Sequence, residues 1–98
     1  MSDKAIVATA KGGSDLLAFA VSVREGESET RHEVTLKAAD LARLGGDRGG
    51  AALVEAAFAF LLDREPKESI LSRFDLSVIS RYFPEFEREL ARYLARPR

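Results

Sequence analysis

Residues 51–62 read AALVEAAFAFLL, and Glu55 is the only polar side chain in this stretch. A helix on the surface of a protein carries one apolar stripe, whereas a helix made of these residues is apolar on nearly every side. The stretch is too short to cross a bilayer, which takes about 20 apolar residues. It therefore predicts a central helix that the rest of a small domain buries, with Phe58 and Leu61 inaccessible to solvent.

Apolar and polar residues alternate before this helix, which predicts three β-strands. The three runs are residues 5–10, 17–23 and 31–36. Because side chains alternate between the two faces of a strand, Phe19 and Val21 are expected to face the core together. Polar turns separate the runs and favour pairing of consecutive strands. Residues from about 4 to 36 are therefore expected to form an antiparallel meander with one face open to water.

The spacing of apolar residues changes after the third strand, and residues from about 38 to 96 are expected to be helical. The expected helices are residues 38–44, the central helix, a helix beginning at Pro66, residues 76–82 with Asp75 as N-cap, and a last helix beginning at Pro84. The helix at Pro66 would place Ile70, Leu71 and Phe74 on its inner side. Strands followed by helices indicate an α+β fold. We expect a single domain over residues 1–98, a three-stranded antiparallel meander followed by three to four helices packed on one face.

The composition limits the chemistry of this chain. It has 15 basic and 16 acidic residues, for a net charge of −1. Domains that hold nucleic acid usually carry a strongly basic surface, so nucleic acid is not the expected partner. The absence of cysteine excludes disulfides, zinc–thiolate sites and cysteine nucleophiles. No segment resembles a signal peptide or is long and apolar enough to span a membrane, so we expect a cytoplasmic protein without a membrane partner.

Three groups of residues invite a catalytic or ligand-binding role, and each has a simpler structural explanation. His32 is the only histidine, and it shares a strand face with apolar residues, which favours a half-buried structural side chain. The glycine-rich loop at residues 45–50 lacks the Lys and Ser/Thr of a phosphate-binding loop. Glu85 and Glu89 stand among arginines, as on a solvated helix face. We therefore expect no catalytic, cofactor-binding or metal-binding residues.

One pattern keeps nucleic acid open as an alternative. The outward face of the third strand would carry Arg31, Glu33, Thr35 and Lys37. A strand followed by two helices is the order of elements in ribbon-helix-helix repressors. Against this, Glu33 lies within the reading face and the first helix is barely two turns long. The last helices carry a series of arginines, at Arg81, Arg88, Arg92, Arg96 and Arg98. Acidic residues lie among them, at Glu85, Glu87 and Glu89, and offset most of their positive charge. A nucleic-acid-binding regulator is therefore the second hypothesis and an unrecognised enzyme the third.

Three strings lie close together in the C-terminal half of the chain. They are EPKESIL at residues 65–71, FDLSVI at 74–79 and YFPEFE at 82–87. This segment resembles the C-terminal half of a group of small bacterial proteins of unknown function in which such strings occur together. The resemblance brings no known activity, cofactor or partner, and it implies only a bacterial protein of unknown function.

The same segment is dense in aromatic residues. Four rings fall within thirteen residues, at Phe74, Tyr82, Phe83 and Phe86. Rings beside a helix break are covered less completely than rings in the middle of a helix, and aromatic residues next to arginine dominate interface energetics. The competing explanation is that all four rings belong to the core. The candidate protein-binding surface comprises Lys67, Arg73, Arg81, Tyr82 and Phe83. The first hypothesis is a non-catalytic interaction or regulatory module with an unknown protein partner, for which a homodimer is one possible form.

Overall fold

Three strands are followed by helices, as predicted, but a short fourth strand lies between two of the helices. The computed structural model describes residues 5–12, 15–45 and 48–95. Its strands are β1 (Ala5–Gly12), β2 (Leu16–Glu25), β3 (Ser28–Lys37) and β4 (Arg73–Asp75). Its helices are α1 (Ala38–Leu44), α2 (Gly50–Leu62), α3 (Val78–Tyr82) and α4 (Phe86–Ala95), with a 3-10 turn at Lys67–Ser69. The fold is α+β, as predicted.

The first three strands form an antiparallel meander, which confirms the prediction for this part of the sheet. Val21 in the middle strand pairs with Ala8 of β1 on one side and with His32 of β3 on the other. The face that carries Phe19 and Val21 is buried against the helices, whereas the opposite face is open to solvent. The period of two in the sequence therefore identifies the buried face correctly.

The central helix is buried as predicted. Phe58 and Leu61 are 0% and 4% exposed in α2. The Phe58 ring lies 5.2 Å from the His32 ring and 5.9 Å from the Phe74 ring, so α2 contacts both the middle and the edge of the sheet. Burying a side chain of this size stabilises the fold by about 1.5–3 kcal/mol.

Glu55, the polar residue of the central helix, covers one backbone donor on the outer edge of β1. Its Oε2 accepts a hydrogen bond of 3.1 Å from the backbone N–H of Ala8 in β1. An edge strand exposes backbone groups that can pair with another chain unless something covers them. The Glu55 carboxylate therefore gives the N–H of Ala8, in the middle of β1, a hydrogen-bond partner.

The helix expected at Pro66 does not form, and this prediction is wrong. Pro66 begins a single 3-10 turn, and the backbone is already extended at Ile70, with φ −75° and ψ 135°. The chain then runs into β4, which pairs in parallel with β3. Leu71, expected on the inner side of a helix, is 51% exposed.

The parallel pairing of β4 with β3 has a physical cause. β2 pairs with one side of β3, and the backbone groups on the other side of β3 lie near the core and need hydrogen-bond partners. Glu33 N–H donates to the carbonyl of Ser72 at 2.8 Å, and Leu76 N–H donates to that of Thr35 at 2.9 Å. The same pairing brings Phe74 beside Val34 and buries its ring. A strand therefore satisfies both the backbone of β3 and the apolar side chain of Phe74.

The last two helices agree more closely with the sequence. The helix expected from Leu76 begins at Val78, and its N-cap residue is Ser77 rather than the predicted Asp75, which instead accepts the N–H of Ser77 at 3.1 Å in the preceding turn. The last helix, α4, begins at Phe86 rather than at the predicted Pro84, and its buried residues Phe86, Leu90 and Tyr93 recur at helical spacing. The rings of Phe86 and Tyr93 pack edge-on against Phe60, with centroids 5.0 and 5.7 Å away.

Some predicted features lie outside the described residues. These are residues 1–4, Gly46 and Asp47 of the glycine-rich loop, and Arg96 and Arg98 of the arginine series. Predictions for these positions stay predictions. Within the described ranges, no helix has the length and apolar character that crossing a membrane requires.

Candidate protein-binding site

An apolar groove lies between β4, α3 and the segment that leads into β4. Its volume is about 210 Å³. The apolar side chains that line it include Ile70, Leu71, Phe74, Val78, Ile79 and Tyr82. Leu71 is 51% exposed and Tyr82 is 70% exposed, whereas Phe74 and Ile79 are buried. The groove therefore presents apolar surface to water, with a buried floor and two exposed side chains.

The groove exists because the elements around it are short. β4 has three residues and α3 has five. Phe83 leaves the helical conformation, with φ −131° and ψ 87°. The following Pro84 disfavours a helical residue before it, which explains why α3 ends there. The helical layer therefore stops before it covers the β4 edge of the sheet.

Among the described residues that line the groove, Glu65 is the only charged one. Its backbone N–H donates to the carbonyl of Leu61 at 2.9 Å, which holds it at the end of α2. Within the part of the chain that the structure describes, no cationic side chain pairs with the Glu65 carboxylate. A ligand that enters the groove with a positive charge would therefore find a complementary group here.

The structure separates the five residues of the predicted surface. Tyr82 and Phe83 line the groove, but Phe83 also packs edge-on against Phe60, at 5.8 Å between centroids. Arg81 is exposed on α3 but does not line the groove. Arg73 points to the opposite face of the sheet, where it pairs with Glu33 at 3.4 Å. Of these five residues, Tyr82 alone is both exposed and part of the groove.

Lys67 does not belong to an exposed surface. It is 3% exposed, and its Nζ lies 2.6 Å from Glu68 and 3.6 Å from Glu25. The hydrogen bond to Glu68 raises the pKa of Lys67 above its usual value, although burial acts in the opposite direction. The side chain is therefore buried at the 3-10 turn rather than exposed, and a role for Lys67 in binding a partner stays a prediction.

Sequence reasoning missed Leu71, Val78, Ile79 and Glu65 as groove residues. Leu71 was expected inside a helix, so its exposure was not foreseen.

His32 helps to fix the position of Leu71, since Nδ1 of His32 donates to the carbonyl of Leu71 at 2.8 Å. The other ring nitrogen lies 2.8 Å from the hydroxyl of Thr30. His32 is hydrogen-bonded at both nitrogens and only 4% exposed, so it is more deeply buried than the half-buried side chain predicted.

The open face of the sheet is a second concave surface, and its charges are paired within the chain. Glu33 accepts a hydrogen bond from Lys11 at 3.1 Å and also pairs with Arg73. The bond from Lys11, with the charges of Lys11 and Arg73, lowers the pKa of Glu33. Glu29 accepts the hydroxyl of Ser22 at 2.6 Å, and this bond is the main cause of its lowered pKa. These acidic groups offset the arginines beside them.

The position of β3 does not favour the ribbon-helix-helix alternative. β3 lies between β2 and β4 and pairs with both. A ribbon that enters the major groove needs a strand that is free to pair with a second copy. Thr35, a candidate reading residue, donates its hydroxyl to Asp75 at 2.6 Å.

The paired carboxylates of the last helix form surface ion pairs. Glu85 pairs with Arg64 at 3.2 Å, and Glu89 pairs with Arg92 at 2.7 Å. The side chains of Glu85 and Glu89 are 32% and 23% exposed, so these carboxylates are partly buried rather than fully solvated as predicted. Among the described residues, no group of three or more metal-ligating side chains comes together.

Comparisons with protein-family models, with curated proteins and with solved structures found no match to this chain. The resemblance of residues 65–87 to small bacterial proteins of unknown function therefore stays a prediction. A function for this chain has to be argued from the geometry of its surfaces, of which the groove beside β4 is the most distinctive.

Proposed function

We propose that this protein is a small non-catalytic interaction module that binds a partner protein through the groove beside β4. The observation that carries the proposal is the exposure of Leu71 and Tyr82 within one apolar groove. Removing apolar surface from water is the main driving force of protein association, at about 25 cal/mol per Å². Apolar side chains that share a concave surface mark an interaction site more strongly than side chains scattered singly.

The core does not depend on the two exposed side chains. Phe58, Phe60 and Phe86 are at most 1% exposed, so the centre of the domain is closed without Tyr82. A tyrosine that remains 70% exposed contributes little to folding. Tyrosine is also among the residue types that carry most of the binding energy in interfaces. These facts support a role for Tyr82 in recognition.

The charge of the protein supports a protein partner over nucleic acid. The net charge is −1, and the arginines of the open sheet face lie beside acidic groups that pair with them. Binding to phosphates requires a continuous positive surface. The absence of cysteine also supports the cytoplasm as the place where the partner is met.

Site-specific photo-crosslinking in the source cell tests the proposal. A photoreactive residue in place of Tyr82 or Leu71 is expected to capture the same partner from both positions. Arg81 is the matched control, because it neighbours Tyr82 on α3, is exposed and does not line the groove. Equal products from positions 81 and 82, or none from 71 and 82, would contradict the proposal.

The variant Tyr82→Ala separates recognition from folding. Because the ring is mostly exposed, its free energy of unfolding should stay within about 0.5 kcal/mol of the parent protein. In a protein that carries the photoreactive residue at position 71, Tyr82→Ala should abolish capture of the partner. If Tyr82→Ala unfolds the domain instead, the ring is part of the core and the proposed role for it is wrong. A captured product made of two copies of this chain would identify the partner as a second copy.

A further inference from the structure

The sheet has two edge strands, β1 and β4. At β1, Glu55 occupies the N–H of Ala8. At β4, the carbonyl of Ser72 accepts from β3 and the N–H of Leu76 donates to β3, so these backbone groups face β3. Since alternate residues of a parallel strand bond to the same neighbour, the N–H and C=O of Arg73 and Asp75 point away from β3. In the described part of the chain, no strand lies beyond β4.

The apolar groove lies beside this open edge. Phe74 belongs to β4 and lines the groove from the sheet, while Leu71 and Tyr82 extend it outward. A strand laid along β4 would place every second side chain on the same face as Phe74. Those side chains would enter the groove, and the intervening ones would lie on the open face near Arg73.

An extended ligand satisfies this site better than a helix. A helix bonds its own backbone internally, so it would leave the outward groups of Arg73 and Asp75 to water. An added strand pairs with them, and it gains affinity from main-chain hydrogen bonds and specificity from alternate side chains. Glu65, the charged residue of the groove, adds a preference for a positive charge.

We propose that the groove takes an extended segment of a partner protein as an additional strand on β4, with alternate apolar side chains in the groove and a Lys or Arg near Glu65. This inference rests on the proposed function, since it specifies the ligand of the same groove. It assigns backbone recognition to Arg73 and Asp75, apolar recognition to Leu71 and Tyr82, and charge recognition to Glu65.

The first part of the test uses random peptides of about eight residues, displayed on phage and selected on the chain of residues 1–98. Selected peptides are expected to alternate apolar and polar positions and to contain a basic residue. Affinities are then measured for synthetic peptides against the parent protein and against Leu71→Ala. Val7→Ala is the matched control, because Val7 is 54% exposed at the other edge of the sheet and Leu71 is 51% exposed.

The second part methylates the backbone nitrogens of the peptide one at a time. Methyl groups at alternate positions should each weaken binding about tenfold, because those N–H groups bond to β4. Methyl groups at the intervening positions should change binding little. Glu65→Gln should weaken the binding of a Lys-containing peptide about threefold. It should leave unchanged the binding of the same peptide with norleucine in place of that lysine.

The outcomes distinguish this inference from the proposed function. If Leu71→Ala weakens binding but methylation has no alternating effect, or if bound peptides are helical, the added-strand inference is wrong while the groove remains a binding site. If no selected peptide responds to Leu71→Ala or Tyr82→Ala, the proposed function and this inference both fail. Self-association that buries the β4 edge and excludes the peptides would overturn the inference in favour of a second copy.

Discussion

Gly50→Ala is expected to destabilise this protein although alanine is the better helix former. Gly50 is the first residue of α2, and a β-carbon built there would lie 2.5 Å from Cζ of Phe19. Carbon atoms in contact are about 3.5–4.0 Å apart, so the ring or the start of α2 must move. Phe19 is 3% exposed, which leaves its ring no solvent-filled space to turn into.

Two opposing terms set the size of the effect. Helix propensity favours alanine over glycine by at most about 1 kcal/mol, and by less at the first residue of a helix. Forcing an extra methyl group into a packed core costs about 1–3 kcal/mol. The packing term is larger, so the free energy of unfolding should fall by about 1–2 kcal/mol. For a domain of this size the melting temperature should fall by roughly 5–15 °C.

Urea denaturation followed by circular dichroism measures the change, and a double-mutant cycle tests its cause. In a Phe19→Leu background the smaller side chain leaves room for the new methyl group, so Gly50→Ala should there be neutral or stabilising. Two results would refute the reasoning. One is a Gly50→Ala variant as stable as the parent protein, and the other is an equal loss of stability in both backgrounds.

Three further predictions concern the core, the pH dependence and nucleic acid. Phe58→Ala should lower the free energy of unfolding by about 3–5 kcal/mol in urea denaturation, because the ring is fully buried; a loss below about 1 kcal/mol would contradict its central position. Burial raises the pKa of Asp75, but hydrogen bonds from Thr35 and Ser77 outweigh it and lower the pKa overall. The stability that this carboxylate contributes is fully present above the pKa of Asp75 in the unfolded state, and it is lost as the pH falls through the lower pKa of the folded state. Unfolding curves should therefore show that Asp75→Asn loses less stability below about pH 4 than the parent protein does. Duplex DNA should bind no more tightly than about 10⁻⁴ M at physiological salt, and submicromolar, sequence-dependent binding in a gel shift would contradict this.

The candidate site was only partly predictable, because it depends on a strand that local sequence does not indicate. Aromatic density pointed to Tyr82 and Phe83, and both line the groove. Leu71 is exposed and Lys67 is buried, opposite to expectation, because the chain after Pro66 makes one 3-10 turn and then extends. Residues 73–75 are too few for a period of two to identify a strand.

The sequence by itself determined the elements whose side-chain pattern is long and regular. The apolar stretch at 51–62 required a central helix, and the alternation around Phe19 and Val21 required a sheet with one buried face. Hydrophobic burial acts on these patterns wherever their neighbours lie, so they can be recognised without knowing the contacts.

Tertiary structure decided how the edges of the sheet are completed. The carboxylate of Glu55 meets the N–H of Ala8, 47 residues away along the chain, and β4 pairs with β3 across a similarly long separation. Both contacts satisfy backbone groups, which every residue carries, so the sequence marks Glu55 as an unusual polar residue but does not show which backbone group it meets. The groove that Leu71 and Tyr82 share follows from the second contact, and therefore only the folded chain reveals it.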